Sequence, residues 1–262
     1  MNYICFMKRI VALSLVFLVV ACDNKNVPDQ GKVIEETSLP EDHGDLKTYA
    51  KRHVCAQLHI PATEKYELTI YKENLDGDDK EDAIITVNRK EFAINEAAQS
   101  PNPAKRAEIG FMGNYNYMFY YDGGLDLISP PIAIPSSPLL PLKVKFENIL
   151  SADYKDILID FRIRNASYMD VYNVKEHTPR RIFQWKNFDG MGTSNVEANT
   201  FQFLPNVNGF KDIVILESSL GAVPKDADLN TYEPTIIEGK KIIYRFFYNQ
   251  REAKFMTLKN PM

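Results

Sequence analysis

Residues 66–87 read YELTIYKE, then NLDGDDKED, then AIITV, and residues 115–128 continue as YNYMFYYDGGLDLI. This is an extended run, a polar loop closing on Asp82, an aliphatic run and an aromatic-rich hairpin. Such β-branched and aromatic runs of strand length, bounded by turn residues, predict antiparallel strands. The same order recurs twice. Residues 141–161 give PLKVKFEN, ILSADYKD and ILIDF, with YMDVYNVKEHTPRRIFQW at 168–185. Residues 199–218 give NTFQFL, PNVNGFKD and IVILES, with IIYRFFYNQREAKFMTL at 242–258. The closing aspartates Asp82, Asp156 and Asp212 lie 74 and 56 residues apart, and insertions at 88–113 and 218–240 absorb the difference. A recurring supersecondary unit of this kind predicts a mainly β chain of about three antiparallel four-stranded units. Closed propellers need about four to eight such units, so the expectation is a propeller-like open stack or a sandwich.

Several local features sharpen that expectation. Each closing aspartate should head a buried strand, which places Ile84, Val87, Ile157, Ile159, Ile213 and Ile215 in the core. Tyr121-Asp122-Gly123-Gly124 predicts a hairpin turn in which the glycines supply positive φ. The stretch 129–141, SPPIAIPSSPLLP, holds five prolines without a backbone donor and so reads as a linker between the first two units. Ahead of the β region, Leu46, Tyr49, Ala50, His53, Val54, Gln57 and Leu58 recur at helical spacing. Asp45 stands as N-cap and Pro61 lies past the end, so one N-terminal helix is expected over 45–59. His53, Cys55 and His59 spread over more than one face of that helix and read as packing residues rather than a metal cluster. Within the first insertion, residues 93–99 read as partly helical.

The loop 74–82 carries the one chemically pointed motif. Asn74, Asp76 and Asp78 place oxygens at alternate positions on a tight turn, Asp82 adds a carboxylate, and the Lys80 carbonyl is available between them. That pattern suits a hard cation such as Ca²⁺. The competing reading is that Asp and Gly shape the turn and bond local amides. Together with AIITV, the loop resembles the calcium loops of FG-GAP and VCBS repeats, which build propellers in adhesion and surface-binding proteins. The resemblance implies Ca²⁺ held by Asn74, Asp76, Asp78, Lys80 and Asp82. Two departures stand out: Asp79 replaces the usual second glycine, and Asn74 replaces the usual leading aspartate. The second unit has Leu150 and Ala152 at ligand positions, and the third offers only Asn206, Asn208 and Asp212.

The start of the chain speaks to location. Met7-Lys8-Arg9, the apolar residues 10–21 and then Cys22 give a basic segment, a short apolar segment and a small residue before a cut. Twelve helical residues rise roughly 18 Å, short of the ~30 Å hydrocarbon core of a bilayer. Val19-Val20-Ala21-Cys22 resembles the lipobox of bacterial lipoproteins. The resemblance implies a signal peptide over 1–21, lipidation of Cys22 including palmitate-like acyl chains, and a place in the cell envelope; inner and outer membrane both stay open. Residues 22–44 are polar and aperiodic and read as a tether, leaving 45–262 as the β-rich domain.

Removal of residues 1–21 takes Lys8 and Arg9 and no acid, so 29 bases face 35 acids and the net charge becomes −6. That balance gives no electrostatic footprint for nucleic acid. Cys5 leaves with the signal and Cys22 takes lipid, so Cys55 has no intramolecular partner. No nucleophile elbow, HExxH, CxxC or phosphate-cradling loop is present, and Asp153/Asp156 and Asp226/Asp228 read as solvated loop carboxylates. The rows Tyr115, Tyr117, Phe119, Tyr121 and Tyr244, Phe246, Tyr248 alternate at period two, which fits core packing or a stacking platform for sugar or peptide. The sequence therefore predicts a non-enzymatic, lipid-anchored binding or structural module whose partner is an envelope protein or glycan. The alternative is an immunity or inhibitor protein that occludes a toxin or hydrolase, with a hydrolase of unrecognised site a distant third.

Overall fold

A computed structural model of the protein describes residues 44–257. The expected signal peptide over 1–21, the expected lipidation site Cys22 and nearly all of the expected tether lie outside the described residues. Helix α1 (Leu46–Gln57) opens the chain, with the Asp45 carboxylate accepting from Thr48 N at 3.1 Å. This satisfies one of the amides that a helix start leaves without a partner.

Strands β1 (Glu67–Glu73) and β2 (Asp82–Asn88) follow, then helices α2 (Lys90–Gln99) and α3 (Pro103–Gly110). Next come β3 (Asn116–Asp122), β4 (Leu127–Ile128) and the short β5 (Ile132–Ala133). Strands β6 (Lys143–Glu147), β7 (Asp156–Ile163), β8 (Ala166–Lys175) and β9 (Thr178–Asp189) form the next meander. The last comprises β10 (Glu197–Pro205), β11 (Lys211–Leu220), β12 (Ile236–Asn249) and β13 (Lys254–Met256). The fold is mainly β, all pairings are antiparallel among the described strands, and neither sheet closes into a barrel.

The first sheet runs β1-β2-β3-β4, with β5 added beside β3, and the second runs continuously from β6 to β13. Within the second sheet, β9 and β10 share only two register pairs, Asp189–Glu197 and Phe188–Ala198. That narrow join lets the sheet bend. Leu158, Met169, Val171 and Phe183 of the β6–β9 half share a core with Ile213, Ile215, Phe246 and Phe255 of the other half. On its opposite face the β6–β9 half packs Ile157, Ile159, Phe161 and Val174 against Ile84, Met118 and Tyr120 of the first sheet. The far side of the first sheet, through Ile85, Val87 and Phe119, is covered by Tyr49, Ala50 and Val54 of α1.

A common direction follows from the alternation of strand side chains. One and three residues after each closing aspartate, the side chain faces the preceding element: Ile85 faces α1, Ile157 and Ile159 face the first sheet, and Ile213 and Ile215 face β6–β9. Two residues after it, Ile84 and Leu158 face the following element. All six aliphatics that the sequence places in the core are buried at 1% exposure or less.

The differences from the sequence reading are local. Three helices are present instead of one, because the first insertion folds as α2 and α3; Asn102 caps α3 by accepting from Ala104 N, and Pro103 occupies its first turn. The second insertion narrows to residues 221–235, since β11 and β12 extend into it. The β3–β4 turn forms as expected, but its positive φ falls on Asp126 at 51°, and neither Gly123 nor Gly124 has one. Those glycines provide space instead. A Cβ on Gly123 would overlap the Glu81 carbonyl oxygen, and one on Gly124 would overlap Asp78 Oδ2.

The proline-rich linker joins the two sheets, and buried Asn88 and Asn116 hold it. Asn88 Nδ2 donates to Asn116 Oδ1 at 2.8 Å and to the Pro138 carbonyl at 3.0 Å, while Asn116 Nδ2 donates to Ser136 Oγ at 2.9 Å. A segment poor in donors still presents acceptors, and side-chain amides meet them.

Candidate functional site

The loop between β1 and β2 is shaped by its own side chains. Asn74 Oδ1 accepts from Gly77 N at 3.1 Å, Asp76 Oδ1 from Asp78 N at 3.0 Å, and Asp78 Oδ1 from Lys80 N at 2.6 Å. Asp82 accepts from Leu75 N at 2.9 Å through Oδ2 and from Gly123 N at 3.0 Å through Oδ1. Asp82 is fully buried, and burial raises its carboxyl above the ordinary aspartate range against the lowering effect of the two amides.

The β6–β7 loop shows part of the same arrangement, with Leu150 and Ala152 where Asp76 and Asp78 stand in the first loop. Asp156 Oδ2 accepts from Ile149 N at 3.1 Å and Leu150 N at 2.8 Å, and Oδ1 accepts from Asn173 Nδ2 at 2.9 Å. Asn74 and Asn148 each stand eight residues before the closing aspartate, and each donates its side-chain amide to the carbonyl four residues on, Asp78 O and Ala152 O. In the third loop Asn206 Nδ2 donates to Asp212 Oδ1 at 2.6 Å, and Arg245 neutralises Asp212 from 2.7 Å. Asp156 is therefore a buried anchor rather than a solvated loop acid, and burial pushes its carboxyl up to about 6.

Of the five loop residues, the structure brings Asp76 together with other metal-capable side chains. Asp76, Asp122 and His177 present ligand atoms within 4.8 Å of one another. Asn74, Asp78, Lys80 and Asp82 are not part of that group. Asp76 comes from the β1–β2 loop, Asp122 from the end of β3, and His177 from the β8–β9 turn of the second sheet. Glu176 and His177 at that turn have φ of 51° and 60°, the left-handed conformation a tight hairpin requires.

His177 Nδ1 lies 2.6 Å from Asp122 Oδ2, and Asp122 Oδ1 accepts from Leu125 N at 2.8 Å. Asp122 is nearly inaccessible, whereas the His177 side chain is 58% exposed. Tyr120 donates to Asp76 Oδ2 at 3.3 Å; burial, and then the carboxylates of Asp82, Asp122 and Asp76, push its hydroxyl far above the ordinary tyrosine range and keep it a donor. Among the described residues no lysine or arginine pairs with Asp76, Asp78 or Asp122. The negative charge is thus available to a protonated imidazole or to a cation.

The remaining sequence candidates take packing roles. Phe119, with Tyr117 and Tyr121, packs against α1, and Tyr244, Phe246 and Tyr248 pack against the β6–β9 half. His53 lies 3.2 Å from the Ser129 carbonyl, and Cys55 Sγ lies 3.4 Å from Tyr66 Oη. Comparisons with protein-family models, with curated proteins and with solved structures find no match to this chain. What stands at this point is the class: an antiparallel β protein with open sheets, carrying an acidic group where two sheets meet.

Proposed function

We propose that this is a lipid-anchored protein of the bacterial cell envelope. Its β body acts as a non-catalytic binding or structural module, built as a propeller-like open stack of three repeated four-stranded units. The observation that carries the reading is the shared direction of packing, in which each closing aspartate heads a strand with one face toward the element before it. Propeller blades stack in this way, and such scaffolds present loops to partners rather than enclosing chemistry. The shared Asn–Asp geometry of the first two loops supports common descent of the units.

Calcium stabilisation belongs to the same proposal. Asp76 and Asp78 each have a second carboxylate oxygen not used on a loop amide, and Asp122 lies beside Asp76. Asn74, the Lys80 carbonyl and Asp82 complete the set suggested by the loop's resemblance to calcium-binding repeats. A cation there would neutralise the Asp76 and Asp122 carboxylates, which no lysine or arginine pairs with among the described residues.

The anchor is tested by fractionation. Several acyl chains hold a protein on a membrane stably, whereas one alone binds marginally. The wild type should sediment with membranes and incorporate labelled palmitate, and Cys22→Ser should do neither. A wild type without acyl label, or a Cys22→Ser protein that stays in the membrane fraction, would overturn the lipoprotein reading.

A further inference from the structure

The insertion between β2 and β3 builds a cavity that the stack itself does not require. Side chains of α2 and α3, the segment 112–115 that leads into β3, and Arg89, Tyr117 and Pro135 line an open cavity of about 540 Å³, within the range of small-molecule sites. Tyr115 Oη lies 2.8 Å from Glu96 Oε2 and 3.0 Å from Glu108 Oε2. A phenol carries one proton, so it donates to one carboxylate at a time. Lys105 Nζ, 3.5 Å from Glu96 and 3.3 Å from Glu108, supplies the positive charge that lets the two carboxylates sit together. Tyr115 is buried, and a Cβ on Gly113 would overlap its ring, so the hydroxyl is held in place beneath the pair.

Glu96 and Glu108 remain about one-third exposed and line the cavity. Their remaining lone pairs can accept from ligand hydroxyls, and Lys105 and Asn114 add donors. Phe92, Met112, Pro135 and the ring of Tyr117, whose hydroxyl donates to the Asn114 carbonyl, supply the apolar part of the lining. Arg89 also borders the cavity, but Glu64 engages it at two positions of 2.7 Å, and its guanidinium lies 4.2 Å from the Phe92 ring centre. With Arg89 neutralised by Glu64, two carboxylates against one lysine leave a negative balance that disfavours anions.

We propose that this cavity binds a neutral saccharide, its hydroxyls received by Glu96 and Glu108 and its C–H face laid against Phe92, Met112 and Tyr117. A sugar ring carries both a hydroxyl edge and an apolar face, and the lining offers both. The assignment rests on the reading of the protein as a binding module and names the ligand class of that module.

Isothermal titration of the full-length protein with cellobiose, maltose and N,N′-diacetylchitobiose tests it, in a polyoxyethylene detergent that itself contains no sugar. At least one disaccharide should bind with a dissociation constant on the order of 1 mM or tighter. Glu96→Gln with Glu108→Gln should weaken that binding about tenfold by removing charged acceptors. Met112→Arg, at an exposed position, should abolish it by filling the cavity without disturbing the core. Val207→Ala, at a fully exposed position remote from the cavity lining, should leave it unchanged. No heat from any of the three sugars, binding indifferent to the cavity variants, or butylamine binding where the sugars do not would overturn the saccharide assignment. If Cys22-dependent membrane association persists while all three sugars fail, the ligand class is wrong and the anchored-module reading stands.

Discussion

Replacing Asp156 by Asn removes one buried titrating group. Burial pushes the Asp156 carboxyl up to about 6, with the Leu150 and Ile149 amides and the Asn173 side chain opposing it. An unfolded aspartate titrates near 3.9. A carboxyl raised in the folded state contributes stability that is fully present below about pH 4 and is lost as pH rises through about 6. Two units correspond to about 3 kcal/mol. Asparagine keeps one acceptor oxygen for the Ile149 and Leu150 amides but turns an NH₂ toward Asn173, whose own amide can rotate to accept it. The cost of that exchange is nearly independent of pH. Urea unfolding of both proteins from pH 4 to pH 8 should therefore show the variant gaining about 3 kcal/mol relative to wild type, most of it between pH 4 and 6. Asp82 and Asp170 also titrate high because of burial, but they are common to both proteins and cancel in the difference. A difference that stays flat across this window would refute the placement of Asp156 as a charged, buried anchor.

Two further perturbations probe other parts of the structure. Calcium at about 100 times a dissociation constant on the order of 0.1 mM should stabilise the protein by about 2.7 kcal/mol in thermal unfolding, more than Mg²⁺ at matched ionic strength. Asp76→Ala with Asp78→Ala should remove the gain, and equal midpoints in both salts would leave residues 74–82 as a turn alone. Arg162, buried and without a carboxylate partner among the described residues, donates to the carbonyls of Leu229 at 2.7 Å, Tyr232 at 2.9 Å and Arg164 at 2.9 Å. Arg162→Met should cost about 2–4 kcal/mol and open residues 221–235 to proteolysis; a cost below about 1 kcal/mol would show that this loop is held by other contacts.

The strands were legible because period-two alternation and closing aspartates are local signals. Ile84 and Ile157 announce a buried face whatever they pack against. Helix α3 was missed: its one signal, Asn102-Pro103, a cap followed by a first-turn proline, stands in a polar stretch without apolar periodicity. The direction of stacking was not legible, because alternation says that two faces are buried and not what buries each. The acidic group was half legible. Asp76 stood in a recognisable loop, whereas Asp122 lies 46 residues further on and His177 another 55 beyond that, joined to it only by the packing of two sheets. Short-range spacing also cannot separate ion ligation from turn formation, since Asp78 and Asp82 would be chosen for either, and here both bond backbone amides. Gly123 and Gly124 show the same ambiguity, reading as conformational freedom and serving as clearance.

Methyl-to-methyl nuclear Overhauser contacts test the stacking order on which the functional account rests. Ile84 should show cross-peaks to the Ile157, Ile159 and Val174 group, Ile85 and Val87 should show them to Val54 of α1, and Leu158 should show them to Ile213 and Ile215. Cross-peaks from Ile85 to Ile157 or Ile159, with none from Ile84, would reverse the first sheet and contradict the common direction of the units.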